Sequence, residues 1–237
     1  MTISVPTMRQ TLRTTLSHGA RVSAIAALVV ASLISVETLA QDKLPKNGAI
    51  QEHIDKGMQL GNSGNFEKAI SEFKQVLKLD PRNIHAYNNI GVAYFRLGDI
   101  DGAISSYTKA IDLGIADANM YFYRGLMYGK YKQEDVKAIN DYSKAIELEP
   151  KYSRAYLNRA LAYSSLKMPD KAIADYNKMV ELRPDDLSLI LNLRAQSYYA
   201  KGDYKMAWAD VDKAKELGVT LDKEFMEKLS KASPHKR

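Results

Sequence analysis

Alanine recurs along this chain at a nearly constant interval. Ala69, Ala103, Ala138, Ala172 and Ala207 are 34, 35, 34 and 35 residues apart. Four residues after each stands a large side chain (Phe73, Tyr107, Tyr142, Tyr176 and Val211), and three further on stand Val76, Ala110, Ala145, Met179 and Ala214. Offsets of four and seven share one helical face, so each set predicts an amphipathic helix. A second stripe precedes each alanine, clearest as Tyr87, Ile90, Gly91 and Tyr94. Its counterparts are His53/Lys56/Gly57/Leu60, Tyr121/Arg124/Gly125/Tyr128, Tyr156/Arg159/Ala160/Tyr163 and Leu191/Arg194/Ala195/Tyr198. Offsets of three, four and seven again define one face. The small residue in each stripe lets a neighbouring helix come close where a large side chain would hold it off.

Turn residues separate the two stripes: Gly61 to Asn65, Gly98-Asp99, Pro169-Asp170 and Gly202-Asp203. Pro81, Pro150 and Pro184 close three of the five units. Each unit is therefore helix, tight turn, helix. One such pair cannot bury its apolar stripe alone, so the units must stack and their ends must be capped. After Gly218, Leu221, Phe225 and Leu229 share a face, which predicts a capping helix over 220–232 and a loose basic tail over 233–237.

These positions together resemble the tetratricopeptide repeat, whose fingerprint is W-x₂-L-G-x₂-Y, then A-x₃-F, then P. The resemblance covers residues 50–219, with units at about 50–83, 84–117, 118–152, 153–187 and 188–219. It implies an all-α, right-handed α-solenoid of five helix-turn-helix repeats with a C-terminal capping helix. Two departures are local. Ala138 lies ten rather than nine residues after Tyr128, which places one inserted residue in the turn near Lys132-Gln133-Glu134, and Gly114-Ile115 and Gly218-Val219 stand where the closing proline is expected.

The N-terminus has a different character. Arg9, Arg13 and Arg21 precede an uncharged run from Val22 to Val36, followed by Thr38-Leu39-Ala40. That run is short for a membrane span and suits a signal peptide, so residues 1–40 are expected to be removed, with Gln41 as the mature start and 41–49 as a linker. A periplasmic or secreted location follows, with an uncleaved membrane anchor as the alternative; after cleavage no stable membrane insertion is expected. The chain has no cysteine, which excludes disulfides, thiol nucleophiles and cysteine-based metal sites, and its four histidines form no ligand pair. No metal and no cofactor is expected. The leader holds three Arg and one Glu, so of a formal charge of +6 about +4 remains on the mature chain, with bases interleaved among acids. That pattern is a solvated surface rather than a nucleic-acid stripe.

The first-helix stripe faces the core, so the opposite side holds offsets −2, +2 and +5 from the stripe's first member, flanked by +1. Family resemblance implies that this side lines a concave groove for extended peptides or partner helices. The candidate groove residues are Asn88, Asn89, Phe122, Tyr123, Leu126, Arg154, Leu157, Asn158, Leu161 and Asn192; the same face also carries Gln51, Ile54, Asp55, Met58, Val92, Leu193 and Gln196. Asn89 and Asn158 share one position and can pair with a peptide backbone whatever its sequence. Phe122, Tyr123, Leu126, Leu157 and Leu161 form an apolar band able to take a hydrophobic anchor. Members of the family that grip chaperone C-termini use Lys, Asn and Arg across three units, and only Arg154 and Asn158 fit that pattern here. No nucleophile-base pair, carboxylate pair or phosphate loop is readable, and Asp55 and Asp99 are read as groove polarity and turn chemistry. The expectation is a non-catalytic scaffold for other proteins, with an RNA-binding helical repeat or a membrane-anchored assembly factor as the alternatives.

Overall fold

The computed structural model describes residues 46–114, 117–182, 187–218 and 221–234. The expected signal segment 1–40, linker residues 41–45, Ile115, Pro184, Val219 and the tail residues 235–237 lie outside the described residues. The chain divides into two units, residues 1–55 and 56–237. Helical residues 46–62 (α1) begin in the first and end in the second, so residues 46–49, expected to be linker, are already helical. Within the first unit Gln51 Nε2 donates to Asp55 Oδ1 at 2.8 Å, one turn further on.

The second unit continues with α2 (Phe66–Leu79), α3 (Ile84–Leu97), α4 (Ile100–Asp112), α5 (Ala118–Leu126), a π-helical segment (Met127–Tyr131), α6 (Asp135–Leu148), α7 (Ser153–Ser165), α8 (Pro169–Leu182), α9 (Leu187–Lys201), α10 (Tyr204–Glu216) and α11 (Lys223–Ala232). Each first helix packs on its own second helix, as α3 on α4 and α7 on α8, and each second helix packs on the next first helix, as α4 on α5 and α8 on α9. The architecture is an all-α, right-handed solenoid of helix-turn-helix repeats. All five periodic alanines are fully buried, and the large residue four positions on is at most 3% exposed in every repeat. Close helix approach explains the small stripe residue. A Cβ on Gly57 would stand 2.7 Å from the Phe73 ring, one on Gly91 3.0 Å from Tyr107, and one on Gly125 2.9 Å from Tyr142.

One turn design serves all five repeats. Gly64, Gly98, Gln133, Lys167 and Gly202 all have positive φ, from 56° to 86°. The following amide returns to the end of the first helix, as Asp99 N–H to Tyr94 O and Asp203 N–H to Tyr198 O, both at 2.9 Å, which satisfies an otherwise orphaned carbonyl. That same residue then starts the second helix: Asp99 and Asp203 each accept an amide hydrogen bond through the side chain, from Gly102 and Met206. The inserted residue of the third repeat is not in this turn, contrary to expectation. Gln133 and Glu134 occupy the usual turn positions, and the extra residue is absorbed upstream in Met127–Tyr131, where the Lys132 amide bonds to Met127 O. A one-residue insertion widens a helical turn to π at little cost and leaves both flanking stripes in register.

A ladder of ion pairs joins successive repeats. Arg124, Arg159 and Arg194 each grip an aspartate of their own second helix with two hydrogen bonds of 2.6–2.8 Å, to Asp141, Asp175 and Asp210. The third guanidinium nitrogen donates back to the preceding repeat, to Thr108, Ser143 and Asn177. The aspartate immediately precedes the repeat's large core residue, and the back-partner immediately follows the preceding repeat's. For Arg159 and Arg194 the aspartate's hydrogen bond is the largest influence and raises the pKa above the usual arginine value; for Arg124 burial is the largest influence and lowers it, but Asp141 outweighs it. In the first repeat Lys56 and Glu72 pair at 2.7 Å, and in the second Ile90 and Ser106 stand at the equivalent positions.

At the C-terminal end, α11 packs Phe225 and Leu229 against Trp208 and Val211, with Leu221 beside them. Asp222 caps the helix by accepting from the Phe225 amide at 2.7 Å, and the Trp208 indole N–H donates to Ser233 O at 2.9 Å.

Candidate partner-binding groove

Three clefts of one design open between consecutive first helices. The first, about 410 Å³, lies between α1 and α3; Met58 and Val92 form its apolar sides, Asn89 and Arg96 its polar edge, and Phe73 its floor. The second, about 420 Å³, lies between α5 and α7 with Leu126 and Leu161 as sides, Asn158 and Lys130 as polar edge and Tyr142 beneath. The third, about 550 Å³, lies between α7 and α9 with Leu161, Leu193, Gln196, Lys167 and Tyr176 in the same roles. Each cleft thus takes offset +5 from one repeat and +2 and +5 from the next. The floor is the aromatic that ends the A-x₃-F element. Burial is the main influence on both tyrosine floors: it holds Tyr142 above the usual tyrosine range and pushes Tyr176 up to about 12. The floors are therefore uncharged at any physiological pH.

The expected groove residues divide in two. Asn89, Asn158, Leu126 and Leu161 line clefts, and Leu161 serves two of them. Asn158 also donates through Nδ2 to Arg154 O at 2.8 Å on its own helix. Phe122 is a correction, because it is only 4% exposed. Its ring sits 5.1 Å from that of Tyr152 and 5.9 Å from that of Tyr142, and Arg154 lies over it with the guanidinium 5.3 Å from the ring centre. Offset +1 is only about 100° from the stripe, and the residues leading into the next repeat close over it. Leu157 and Asn192 share that offset: Leu157 packs half-buried against the core of the fourth repeat, and Asn192 accepts a long contact from Gln196 at 3.5 Å. Asn88, also at +1, is half-buried. Tyr123 has the cleft offset but lies on the floor residue of the second repeat, stacked on Tyr107 with centroids 6.1 Å apart and rings 17° from parallel. It is packing as much as surface.

The reading from sequence missed Arg96, Lys130 and Lys167. Arg96 and Lys130 share offset +9, so the same face arithmetic carried one turn further would have reached them. Asp99, read as turn chemistry, is the cap of α4. Among the described residues no group of three or more His, Asp or Glu could hold a metal ion, and no helix is long and apolar enough to cross a membrane.

Residues 62–98 and 130–167 match the family model described as TPR repeat, and residues 85–113 and 153–186 match the one described as Tetratricopeptide repeat. The chain belongs to the tetratricopeptide repeat proteins, a class of protein–protein interaction scaffolds. Among solved structures it is similar to the MamA protein, with 28% identity, 74% of this chain and 99% of MamA covered, and a TM-score of 0.63. It is similar in fold to YrrB, a TPR protein with an unusual peptide-binding site, at 19% identity, 80% and 98% coverage and a TM-score of 0.64. PilF of Pseudomonas aeruginosa matches in fold at 21% identity, 79% and 85% coverage and a TM-score of 0.60.

Proposed function

We propose that this protein is a non-catalytic adaptor of the cell envelope or exterior, which holds an extended or helical segment of a partner protein across the clefts between its first helices. The observation that carries this reading is the repetition of one cleft. Met58, Val92 and Leu161 are 51%, 36% and 42% exposed at the same offset in three repeats, each beside an aromatic-floored cavity. Scattered apolar residues on a surface need no explanation, but apolar side chains repeated along one row do. A segment with side chains at matching intervals would bury them together, and Asn89 and Asn158 would pair with its backbone. The peptide-binding site of YrrB, on the same fold, is consistent with this use of the repeats.

Export is part of the proposal and rests on the basic leader, its uncharged run and Thr38-Leu39-Ala40. Mass spectrometry of the protein from its native cells should find Gln41 at the N-terminus; an intact leader in the membrane fraction would replace export with anchoring. For the groove, cross-linking in envelope extract should capture a partner with the wild-type chain and lose it with Leu161→Ser, which alters two clefts. Equal capture by both proteins would remove the groove from the mechanism.

A further inference from the structure

We propose that the segment held in these clefts is acidic, with a carboxylate beside each apolar side chain that enters a cleft, placed to meet Arg96, Lys130 and Lys167. This rests on the groove reading above and adds the chemistry of the occupant. Each cleft contributes one base: Arg96 in the first, Lys130 in the second and Lys167 in the third. Among the described residues none of the three is ion-paired; Lys130 has only the ring of Tyr131, at 5.6 Å. Some lysines outside the clefts are paired, as Lys132 with Asp101, Lys178 with Glu181 and Lys201 with Asp170. The one carboxylate among the residues lining the three clefts is Asp135, in the second. Further along, the recess between α9 and α11 carries Asp222 and Glu224, and its Lys228 is already paired with Glu224. Each of the three clefts thus sets a base beside apolar walls that strengthen its field.

Two observations favour a polypeptide over a nucleic acid. The bases come singly, each next to a pair of aliphatic side chains, rather than as a continuous track for a phosphate backbone. The aromatic floors are only 1–3% exposed, so they offer no open ring for a base to stack on. An aliphatic side chain flanked by a carboxylate meets both halves of each cleft.

The test is to select peptides from a random displayed library on the full chain at low ionic strength, then synthesise the enriched sequence and a copy with each Asp and Glu replaced by its amide. We expect enriched peptides in which Asp or Glu accompanies Leu, Ile or Phe. The acidic peptide should bind the triple variant Arg96→Gln/Lys130→Gln/Lys167→Gln about tenfold more weakly than wild type, as three exposed charge pairs predict. The amide copy should bind both proteins alike, and circular dichroism should show the same helix content for each. Peptides that are lost with Leu161→Ser but are neutral or basic, or are indifferent to the triple variant, would overturn the acidic occupant and leave the groove standing. No enrichment, or peptides unaffected by Leu161→Ser, would overturn both. A labelled oligouridylate that displaces the selected peptide at equal concentration would overturn the inference in favour of nucleic acid.

Discussion

The Arg159–Asp175 pair makes the ladder directly measurable, because the chain contains its own apolar replacement. Asp175→Ser removes two charge-assisted hydrogen bonds of 2.8 and 2.7 Å and leaves a guanidinium only 17% exposed with Ser143 as its main partner. Stranding one partner of a fully buried pair costs about 3–5 kcal/mol. Arg159 keeps some access to water, so the cost here should be about 2–4 kcal/mol, in line with two bonds to a charged group. In the second repeat Ile90 and Ser106 occupy these positions within the same fold. Arg159→Ile/Asp175→Ser should therefore recover at least half of the loss, since a well-packed apolar residue carries no desolvation penalty. Urea unfolding of wild type, both single variants and the double variant, followed by circular dichroism at 25 °C, gives the coupling energy. Arg159→Ile alone, which also removes the bond to Ser143, should broaden the transition, because that bond links the third repeat to the fourth and stability in a solenoid is nearly a sum over neighbours. A loss below about 0.5 kcal/mol for Asp175→Ser, the range of an ordinary surface site, or a double variant no better than the single, would refute the ladder as a coupling device.

Gln133 holds a left-handed backbone at φ 57° where three other repeats use glycine. Gln133→Gly should stabilise the protein by about 0.5–1 kcal/mol, strain relief outweighing chain entropy; a lower melting temperature would contradict this. Leu229 is fully buried on Trp208 and its neighbours. Leu229→Ala should cost about 2–4 kcal/mol, with hydrogen exchange rising first in α10 and α11; uniform loss along the chain would show that α11 is not an end cap. Burial raises Tyr176 to about 12, whereas an unfolded tyrosine ionises near pH 10. The folded state thus holds the proton more tightly, its contribution is complete below pH 10, and about 2–3 kcal/mol should be lost as pH rises to 12. Tyr176→Phe should flatten that part of the profile, and an unchanged alkaline midpoint would sink the assignment.

The repeat, the helices and the buried face were legible because they depend on residues within one unit. A side chain that recurs every 34 or 35 residues, with offsets of three, four and seven inside each stripe, must occupy equivalent helical faces, and those faces must stack. The turns were legible where glycine marks them and obscure where Gln133 and Lys167 take the same conformation, since nothing in those side chains announces a positive φ. Tertiary structure decided which flank of each first helix stays open. Phe122 is closed over by Tyr152, which precedes the following first helix, and Tyr123 is spent on Tyr107 of the preceding repeat, so two members of the expected apolar band belong to packing. The ladder stood in the sequence as an arginine followed 16 or 17 residues later by an aspartate, yet that spacing has no meaning along one helix. It becomes an interaction only when a turn folds the second helix back against the first. The extra residue in the third repeat changes the spacing without breaking the pair because the backbone absorbs it in a wider turn. Helical periodicity fixes what a residue faces on its own element; what covers that face is set by neighbours whose positions are determined only when all the repeats have packed.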